Sequence, residues 1–210
     1  MFHKVSMSDV INSYHDHTLI NHKEITELDE EWSTVKYFKA ELEIGDDYFD
    51  HWNHALKVKK NRRGEAALFV QDENENILLH TKPFYPNNIF RIPTGGILVN
   101  EDVVAGMQRE LQEETGFKTL SFKFSAILVY ELNNDSRKLS FPSYIFTIRP
   151  DGSNPKASDE EEQISGYSWA SISNLGSVVD QLNGLKGLRW ADWGRVRAVP
   201  HEIFLDHLLA

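Results

Sequence analysis

Between residues 95 and 117 the chain combines a glycine-rich loop with a short helical pattern. The segment reads GGILVNEDVVAGMQRELQEETGF. Three apolar residues recur at the spacing of one helix face: Val104, Met107 and Leu111. This stripe predicts an amphipathic helix, with Asn100 suited to cap its start and Gly116 suited to the position just past its end. The chain must therefore fold around a loop–helix unit that docks on a larger core.

The polar side of this predicted helix carries three glutamates. At roughly 100° per residue, Glu110, Glu113 and Glu114 share one face. Like charges repel at this spacing, and solubility alone does not require such a cluster. A Mg²⁺ site would explain the glutamate cluster, because this ion takes oxygen ligands and is usually held by one or two carboxylates plus substrate phosphates. A solvated acidic face is the alternative, but it does not account for Arg109, which is placed to orient Glu110 and Glu113.

The spacing of these residues is that of the Nudix box, G-x5-E-x7-R-E-U-x-E-E-x-G-U with U apolar. Every specified position is matched, by Gly95, Glu101, Arg109, Glu110, Leu111, Glu113, Glu114, Gly116 and Phe117. The chain therefore resembles Nudix hydrolases. The resemblance implies an α+β Nudix fold, with a mixed β-sheet sandwiched between helices. It also implies hydrolysis of the pyrophosphate link in a nucleoside diphosphate joined to another group, NDP-X.

The same resemblance implies roles for the box residues. Glu113 and Glu114 would bind the metal, and Glu110 would be a further ligand or an assisting base. The Gly95 carbonyl would be an extra ligand, and Glu101 would support the loop. The implied cofactor is Mg²⁺ or Mn²⁺, which polarises phosphoryl oxygens and lowers the pKa of the attacking water. The predicted catalytic set is therefore Glu101, Arg109, Glu110, Glu113 and Glu114.

Two residues outside the box are candidates for substrate contacts. Arg91 lies just before the glycine loop and could reach a phosphate, although a structural role at a strand end suits it equally. Nudix proteins often carry one more acid, as metal ligand or base, in the loop before the residue matched here by Trp169. The usual position is occupied by Gln163, so Glu162 is the nearest acid. A solvated acidic loop is the alternative interpretation.

The chain divides into an N-terminal extension, residues 1–62, and a Nudix domain, residues 63–210. In the extension, residues 36–44 predict a strand and residues 47–56 a helix. In the domain, the patterns predict a hairpin from 66–70 and 77–82, two long strands at 120–132 and 138–148, a short strand at 165–170 and a helix at 171–182.

Two segments and one histidine pair each allow two interpretations. The cluster at 57–63 has five positive residues and is either a solvated turn or a rim that attracts phosphates. The tail at 188–198 mixes Trp and Arg, which can grip a nucleotide, but a helix packing its Trp on the core is favoured. The histidines include His15 and His17, on either side of Asp16, and the pair His51/His54. At helical spacing the latter pair could bind a metal, but no accompanying carboxylate pattern supports such a site.

Composition excludes several classes of function. The formal charge of −10 and pI near 5.3 argue against a nucleic-acid partner. The chain has no cysteine, which excludes a disulfide framework, a thiol nucleophile and a thiolate zinc site. The first residues lack the apolar segment of a signal peptide, and no apolar run is long enough for a membrane span. These features predict a cytoplasmic protein with a small-molecule substrate.

The order of segments along the chain favours one class of substrate but leaves alternatives. A front extension, the box and a later acidic loop resemble the arrangement of dimeric ADP-ribose pyrophosphatases. That resemblance implies a homodimer whose extension helps to wall the substrate site, and it favours ADP-ribose or a nucleotide sugar. A nucleoside triphosphate pyrophosphatase is the main alternative. A non-catalytic nucleotide-sensing regulator is less favoured, because residues 170–210 leave little room for a DNA-reading module. Messenger-RNA decapping would require a basic RNA channel, of which residues 57–63 give the only hint.

Overall fold

The computed structural model describes residues 1–12, 22–32, 35–58, 61–152 and 154–209. The strands in this part of the chain are β1 (Phe2–Lys4), β2 (Lys36–Glu43), β3 (Arg62–Val70), β4 (Ile77–Thr81), β5 (Thr94–Leu98), β6 (Thr119–Asn134), β7 (Arg137–Pro150) and β8 (Gly166–Ala170). The helices are α1 (Met7–Asn12), α2 (His22–Trp32), α3 (Asp46–Asn53), α4 (Val103–Thr115), α5 (Ile172–Asn183) and α6 (Leu188–Ile203). Among the described residues, no helix is long and apolar enough to cross a membrane.

A six-stranded mixed sheet forms the centre of the molecule. Its strand order is β1-β2-β6-β7-β3-β5, and β4 and β8 form a separate two-stranded sheet. The long strands β6 and β7 are paired antiparallel along their lengths, from Thr119 opposite Pro150 to Asn134 opposite Arg137. Both long strands predicted from the sequence are confirmed, and each extends beyond its predicted ends.

The N-terminal extension is part of this sheet. β2 lies parallel to β6 from Lys36 beside Ala126 to Glu43 beside Asn133, and β1 pairs with the outer edge of β2. Phe38 and Ala40 of β2 are fully buried. The predicted strand and the helix that follows it are both confirmed. β2 of the extension thus pairs with β6 of its own chain.

Helices cover both faces of the sheet, which confirms the predicted fold class. On one face, α3, α5 and α6 bury a core in which the rings of Trp52 and Phe141 stack at 4.0 Å. On the other face, α2 and α4 bury a second core that includes Met107 and Leu111. Both predicted C-terminal helices are confirmed, and Trp193 of α6 packs on the first core as favoured above.

The predicted hairpin of β3 and β4 is wrong. The turn after β3 forms, with the Asp72 carboxylate accepting hydrogen bonds from the Asn74 and Asn76 amides. Only one bridge, from Gln71 to Ile77, joins the two segments. β3 pairs with β5 through Ala67 on one side and with β7 on the other, so little free edge remains for β4, which pairs with β8 instead. The local pattern identified both strands but not this competition for edges.

We expect Phe38→Ala to lower the free energy of unfolding of the whole chain, which should still unfold in one cooperative transition. Removing a fully buried ring from β2 costs about 3–5 kcal/mol, and β2 shares its core with the domain. Denaturant unfolding followed by far-UV circular dichroism and by tryptophan fluorescence measures this. Leu120→Ala, at a side chain that is 74% exposed, is the control and should change the free energy of unfolding little. Two separate transitions in Phe38→Ala would mean that the extension folds independently.

Candidate functional site

The loop–helix unit has the predicted form with a shifted start. The N-cap of α4 is Asp102, whose carboxylate accepts a hydrogen bond from the Ala105 amide at 2.9 Å, so the prediction of Asn100 as the cap is wrong. The buried stripe accordingly begins at Val103. Gly116 ends the helix with φ +73°, the left-handed conformation that favours glycine, as predicted.

Arg109 joins the helix acids to the glycine loop. One terminal nitrogen donates to the carboxylates of both Glu110 and Glu113, each at 2.8 Å. The other donates to the Gly96 carbonyl and to Glu101 at 2.8 Å, and Nε donates to Glu101 at 2.7 Å. Glu101 in turn accepts from the Leu98 amide at 2.9 Å, which fixes the loop. The pKa of Arg109 is raised, chiefly by Glu101, so the guanidinium stays charged.

Gly95 lies directly against the first helix glutamate. A Cβ atom at this position would be 1.8 Å from the Glu110 carboxylate carbon and from its Oε2 atom. Only a residue without a side chain fits, which explains the first glycine of the box. Glu110 is buried, and that burial raises the pKa of its carboxyl group.

The acidic loop is hydrogen-bonded to the C-terminal end of α4. The Ser158 amide donates to the Glu113 carbonyl at 3.0 Å, and the Ser158 hydroxyl donates to the Gln112 carbonyl at 2.8 Å. Asp159 then caps a 3₁₀ turn, Glu160–Glu162. As a result Glu162 lies beside the helix acids, and ligand oxygens of Glu110, Glu113 and Glu162 lie within 4.8 Å of one another.

This set of oxygens fits a hard divalent cation. Three carboxylates at this separation repel one another, although Arg109 contacts Glu110 and Glu113 and Lys82 contacts Glu162. Carboxylate ligands suit Mg²⁺ and Mn²⁺, whereas the absence of cysteine removes the ligands that softer metals favour. Within the described ranges, the His51/His54 pair belongs to no metal-spaced group. His15 and His17 lie outside the described residues.

Glu114 lies deeper, beside a lysine that the sequence did not single out. Lys82 is 3.5 Å from the Glu114 carboxylate and 2.8 Å from that of Glu162. Burial raises the pKa of Glu114 to about 7, against the opposing influence of Arg91 and Lys82. The metal-spaced set does not include Glu114, and its role as a ligand stays a prediction. Lys82 is a lone lysine after β4, and no local pattern marks it.

A cleft of about 360 Å³ opens beside the carboxylates. Its cationic lining consists of Arg62, Lys82, Arg91, Arg189 and Arg197, and its aromatic lining of Tyr48, His51, Phe84, Tyr85 and Trp193. Glu110, Glu162 and Gly95 form its acidic end. Tyr48 and His51 come from the N-terminal extension, so that segment does help to wall the cleft. The sequence named Arg91 as a site residue, and it offered phosphate or nucleotide binding as one interpretation of segments 57–63 and 188–198, which supply four further wall residues: Arg62, Arg189, Trp193 and Arg197. It did not single out Tyr48, Lys82, Phe84 or Tyr85, because these residues come from separate elements.

The basic cluster at 57–63 is not a uniformly solvated turn. Arg62 lies against Gly96 and lines the cleft. Arg63 is buried and donates to Glu24 at 2.7 Å, which makes it structural. Lys59 and Lys60 lie outside the described residues.

Arg91 has mainly structural contacts. It is buried and donates to the Tyr85 hydroxyl at 2.9 Å, the Ile92 carbonyl at 2.7 Å and the Thr94 hydroxyl at 2.9 Å. These bonds hold the segment that leads to Gly95. Since Arg91 also lines the cleft, a phosphate contact stays a prediction.

A comparison with protein families identifies the family of this chain. A family model described as the NUDIX domain matches residues 60–189. The chain belongs to the Nudix family. It is a Nudix hydrolase, an enzyme that acts on pyrophosphate bonds.

Several solved structures match this chain at low sequence identity. A MutT structure from work on Aliivibrio salmonicida and Vibrio cholerae is 19% identical, with 54% of this chain and 83% of that chain covered and a TM-score of 0.41. A MutT protein of Bacillus halodurans is 16% identical over 54% and 71% of the two chains, with a TM-score of 0.46. An Ap4A hydrolase of C. elegans is 15% identical over 67% and 97%, with a TM-score of 0.42. A comparison with curated protein sequences found no match to this chain.

Gly95→Ala should impair metal binding without unfolding the protein. The added methyl group collides with the Glu110 carboxylate, so that carboxylate must leave its position. We expect the dissociation constant for Mn²⁺, measured by electron paramagnetic resonance, to rise at least about tenfold. Gly176→Ala in α5 is the matched control, because nothing lies within 4 Å of its added methyl group. Equal Mn²⁺ affinity in both variants would contradict the proximity of Gly95 and Glu110 to the metal site.

His201 links α6 to the segment before Gly95. The ring is fully buried, and its Nδ1 atom lies 2.9 Å from the Arg197 carbonyl, which can only accept, so Nδ1 carries the proton. Nε2 then accepts a hydrogen bond from the Ile92 amide at 3.3 Å. Burial lowers the pKa of His201 to about 4, which keeps the ring neutral.

This depressed pKa predicts acid sensitivity. The unfolded-state pKa is 6.5 and the folded-state pKa is about 4, so the stabilisation is complete above pH 6.5 and is lost as pH falls toward 4. When the pH falls from 7 to 4, the free energy of unfolding of the parent protein should decrease by about 3 kcal/mol more than that of His201→Gln. Urea unfolding across this range measures the difference. His3→Gln, at an exposed position, is the control, and an equal pH dependence in parent and His201→Gln would refute the assignment.

Proposed function

We propose that the chain is a divalent-metal-dependent pyrophosphohydrolase that cleaves the diphosphate link of an NDP-X compound. The preferred substrate is ADP-ribose or a nucleotide sugar. One observation carries this proposal: Glu110, Glu113 and Glu162 converge at the acidic end of a cleft whose remaining walls are cationic and aromatic. Oxygen ligands for a metal therefore adjoin groups suited to phosphates and to a nucleoside.

The metal, Mg²⁺ or Mn²⁺, would be held by the carboxylates of Glu110, Glu113 and Glu162 and by the Gly95 carbonyl. When bound, it supplies polarisation of the phosphoryl oxygens and a lower pKa for the attacking water. Glu114 is either a further ligand or, through its contact with Lys82, a support for that ammonium group. These assignments agree with those that the family resemblance implies. Glu162, first considered as a candidate for a substrate contact, is now assigned as a metal ligand.

Arg109 and Glu101 act as positioning residues. Arg109 holds two of the ligand carboxylates while Glu101 holds Arg109, so the geometry exists before a metal arrives. Such preorganisation lowers the reorganisation required for binding and for reaction. Replacing Arg109 would thus release the helix acids and the loop together.

The cationic wall would hold the diphosphate, and the aromatic wall would contact the nucleoside. Lys82 lies beside Glu162, so its ammonium group is near the proposed metal as well as the phosphates. Trp193 and Tyr85 pack against each other at 4.8 Å in this wall, and Phe84, which is 54% exposed, offers ring surface to a base. Tyr48 and His51 extend this wall without any requirement for a second subunit. The homodimer stays a prediction.

A nucleoside triphosphate is the second candidate substrate. Arg62 and Arg189 both line the cleft, and neither has an ion pair among the residues that the structure describes. Two guanidiniums without a carboxylate partner in that part of the chain favour a substrate with more negative charge than a diphosphate.

Glu113→Gln and Glu162→Gln should each lower turnover by at least about 10²-fold while leaving the fold intact, because each removes a charged metal ligand and relieves repulsion. Glu161→Gln, in the same acidic run but at an exposed position, is the matched control for Glu162→Gln. It should keep nearly full activity. Near-normal turnover in Glu113→Gln, or equal losses in the Glu161 and Glu162 variants, would contradict this metal site.

Phosphate release after phosphatase coupling identifies the substrate class. The panel comprises ADP-ribose, nucleotide sugars, dinucleotides, dinucleoside polyphosphates and nucleoside triphosphates, each with Mg²⁺ or Mn²⁺, with Glu113→Gln as the blank. We expect turnover of ADP-ribose or a nucleotide sugar that is absent in the blank. Preferential turnover of triphosphates would support the second candidate, and no turnover of any compound by folded protein would overturn the proposal.

A further inference from the structure

Three guanidinium groups and one imidazole line the part of the cleft that lies away from the glutamates. They come from three elements: His51 from α3, Arg62 from β3, and Arg189 and Arg197 from α6. The chain as a whole is acidic, with 32 Asp and Glu against 22 Lys and Arg, so composition does not explain this group. Because like charges repel, a cluster of this kind is most stable when an anion lies between its members.

The four side chains lie close to one another, and two of the guanidiniums lack an acidic partner. The pKa of His51 is lowered, first by its partial burial and then by the positive charges of Arg189, Arg197 and Arg62, so all three cations act on this ring. Arg197 forms an ion pair with Glu65 at 2.8 Å. Arg62 and Arg189 are exposed, and neither has an ion pair within the described ranges of the chain. Two positive charges therefore remain available to a ligand.

The edge strand β5 separates these cations from the glutamates. Consecutive residues of a strand direct their side chains to opposite faces of the sheet. A Cβ atom on Gly95 would meet the Glu110 carboxylate, whereas a Cβ atom on Gly96 would lie 2.5 Å from Nε of Arg62. Arg62 and Glu110 therefore lie on opposite sides of β5, which is the last strand of the six-stranded sheet. Both residues line the same cleft, so one ligand can contact both sides.

A phosphate is the group that suits this side of β5. Guanidinium groups bind phosphate oxygens through paired N–H donors, and the imidazole of His51 can add one more donor. The diphosphate that is cleaved belongs at the acidic end, because the metal must contact its oxygens and Lys82 lies there beside Glu162. The guanidiniums of Arg62 and Arg189 are therefore placed for a different phosphate of the same ligand.

We propose that Arg62, Arg189 and His51 form a second anion subsite, which binds a phosphate group of the substrate that is not cleaved. This inference rests on the proposed function and narrows its substrate class: among NDP-X compounds, the protein favours those that carry a phosphate beyond the diphosphate link. Two sources offer such a group. One is a phosphomonoester on a ribose, as in a phosphorylated ADP-ribose, and the other is the end of a longer polyphosphate chain.

The test compares the binding of two ligands that differ by one phosphate. Isothermal titration calorimetry with Mg²⁺ gives dissociation constants for α,β-methylene ADP-ribose, which resists cleavage, and for the same compound with a 2′-phosphate on its adenosine. We expect the parent protein to bind the phosphorylated compound at least about tenfold more tightly, because hydrogen bonds between charged groups are strong. Arg62→Gln and Arg189→Gln should each remove most of this difference and leave the affinity for the other compound nearly unchanged.

Lys186→Gln is the matched control for the loss of one positive charge. Lys186 is exposed, precedes α6 and does not line the cleft, so its replacement leaves the subsite intact. This variant should bind both compounds as the parent protein does. Far-UV circular dichroism checks that all three variants keep the fold, as expected for exposed side chains. A loss in Lys186→Gln equal to the loss in Arg189→Gln would mean that net charge alone sets the affinity, and it would overturn the subsite.

A second pair of ligands distinguishes the two sources of the phosphate. It consists of α,β-methylene ADP and α,β-methylene ATP, which differ by the terminal phosphate of the chain. The pair whose difference in affinity disappears in Arg62→Gln and Arg189→Gln identifies the source. If these variants weaken both members of each pair equally, the guanidiniums hold the diphosphate that is cleaved, and the inference is overturned. It is also overturned if neither variant changes any of the four dissociation constants.

Failure of the proposed function gives a different result. In that case the parent protein binds none of the four analogues and turns over no compound of the panel, which overturns the function and the subsite together. Binding and turnover by the parent protein, with no coupling between the extra phosphate and Arg62 or Arg189, would overturn the subsite alone.

Discussion

The contacts of Arg109 with Glu101, Glu110 and Glu113 are the constraint on which the site depends. Without a cation between them, three acids on a loop and one helix face would separate to relieve their repulsion. Arg109 joins them and also donates to the Gly96 carbonyl, so the loop and the helix form one unit. The close approach of Gly95 to Glu110 follows from this arrangement, because the loop is held against the helix.

The sheet places the loop–helix unit beside a cleft. β5 carries the loop and pairs with β3, while β3 is held on its other side by β7. The face of β3 opposite α4 supports α6 and α3, which bring Arg197, Trp193, Tyr48 and His51 to the same cleft. The acidic loop reaches the site by hydrogen bonds to the end of α4. Opposite charges therefore meet at one place although they come from distant parts of the chain.

The sequence predicted well what depends on neighbouring residues and poorly what depends on distant ones. The helix of the box, its glycine terminator and the two long strands follow from periodicity and turn chemistry, and the structure has them all. The hairpin failed because β5 and β7 occupy most of both edges of β3, which no local pattern reveals. Lys82 was missed because its significance comes only from its proximity to Glu114 and Glu162. Glu162 was found only through the family resemblance, since an acidic run alone does not specify which member faces the site.

One crystallographic measurement tests the proposed metal site most directly. A crystal grown with MnCl₂ and measured at a wavelength where manganese scatters anomalously would show the position of the ion without reference to activity. We predict an anomalous peak bounded by the carboxylates of Glu110, Glu113 and Glu162 and by the Gly95 carbonyl. A peak at another position, or none between these groups at saturating Mn²⁺, would contradict the conclusion that the convergence of these acids serves metal-dependent pyrophosphate hydrolysis.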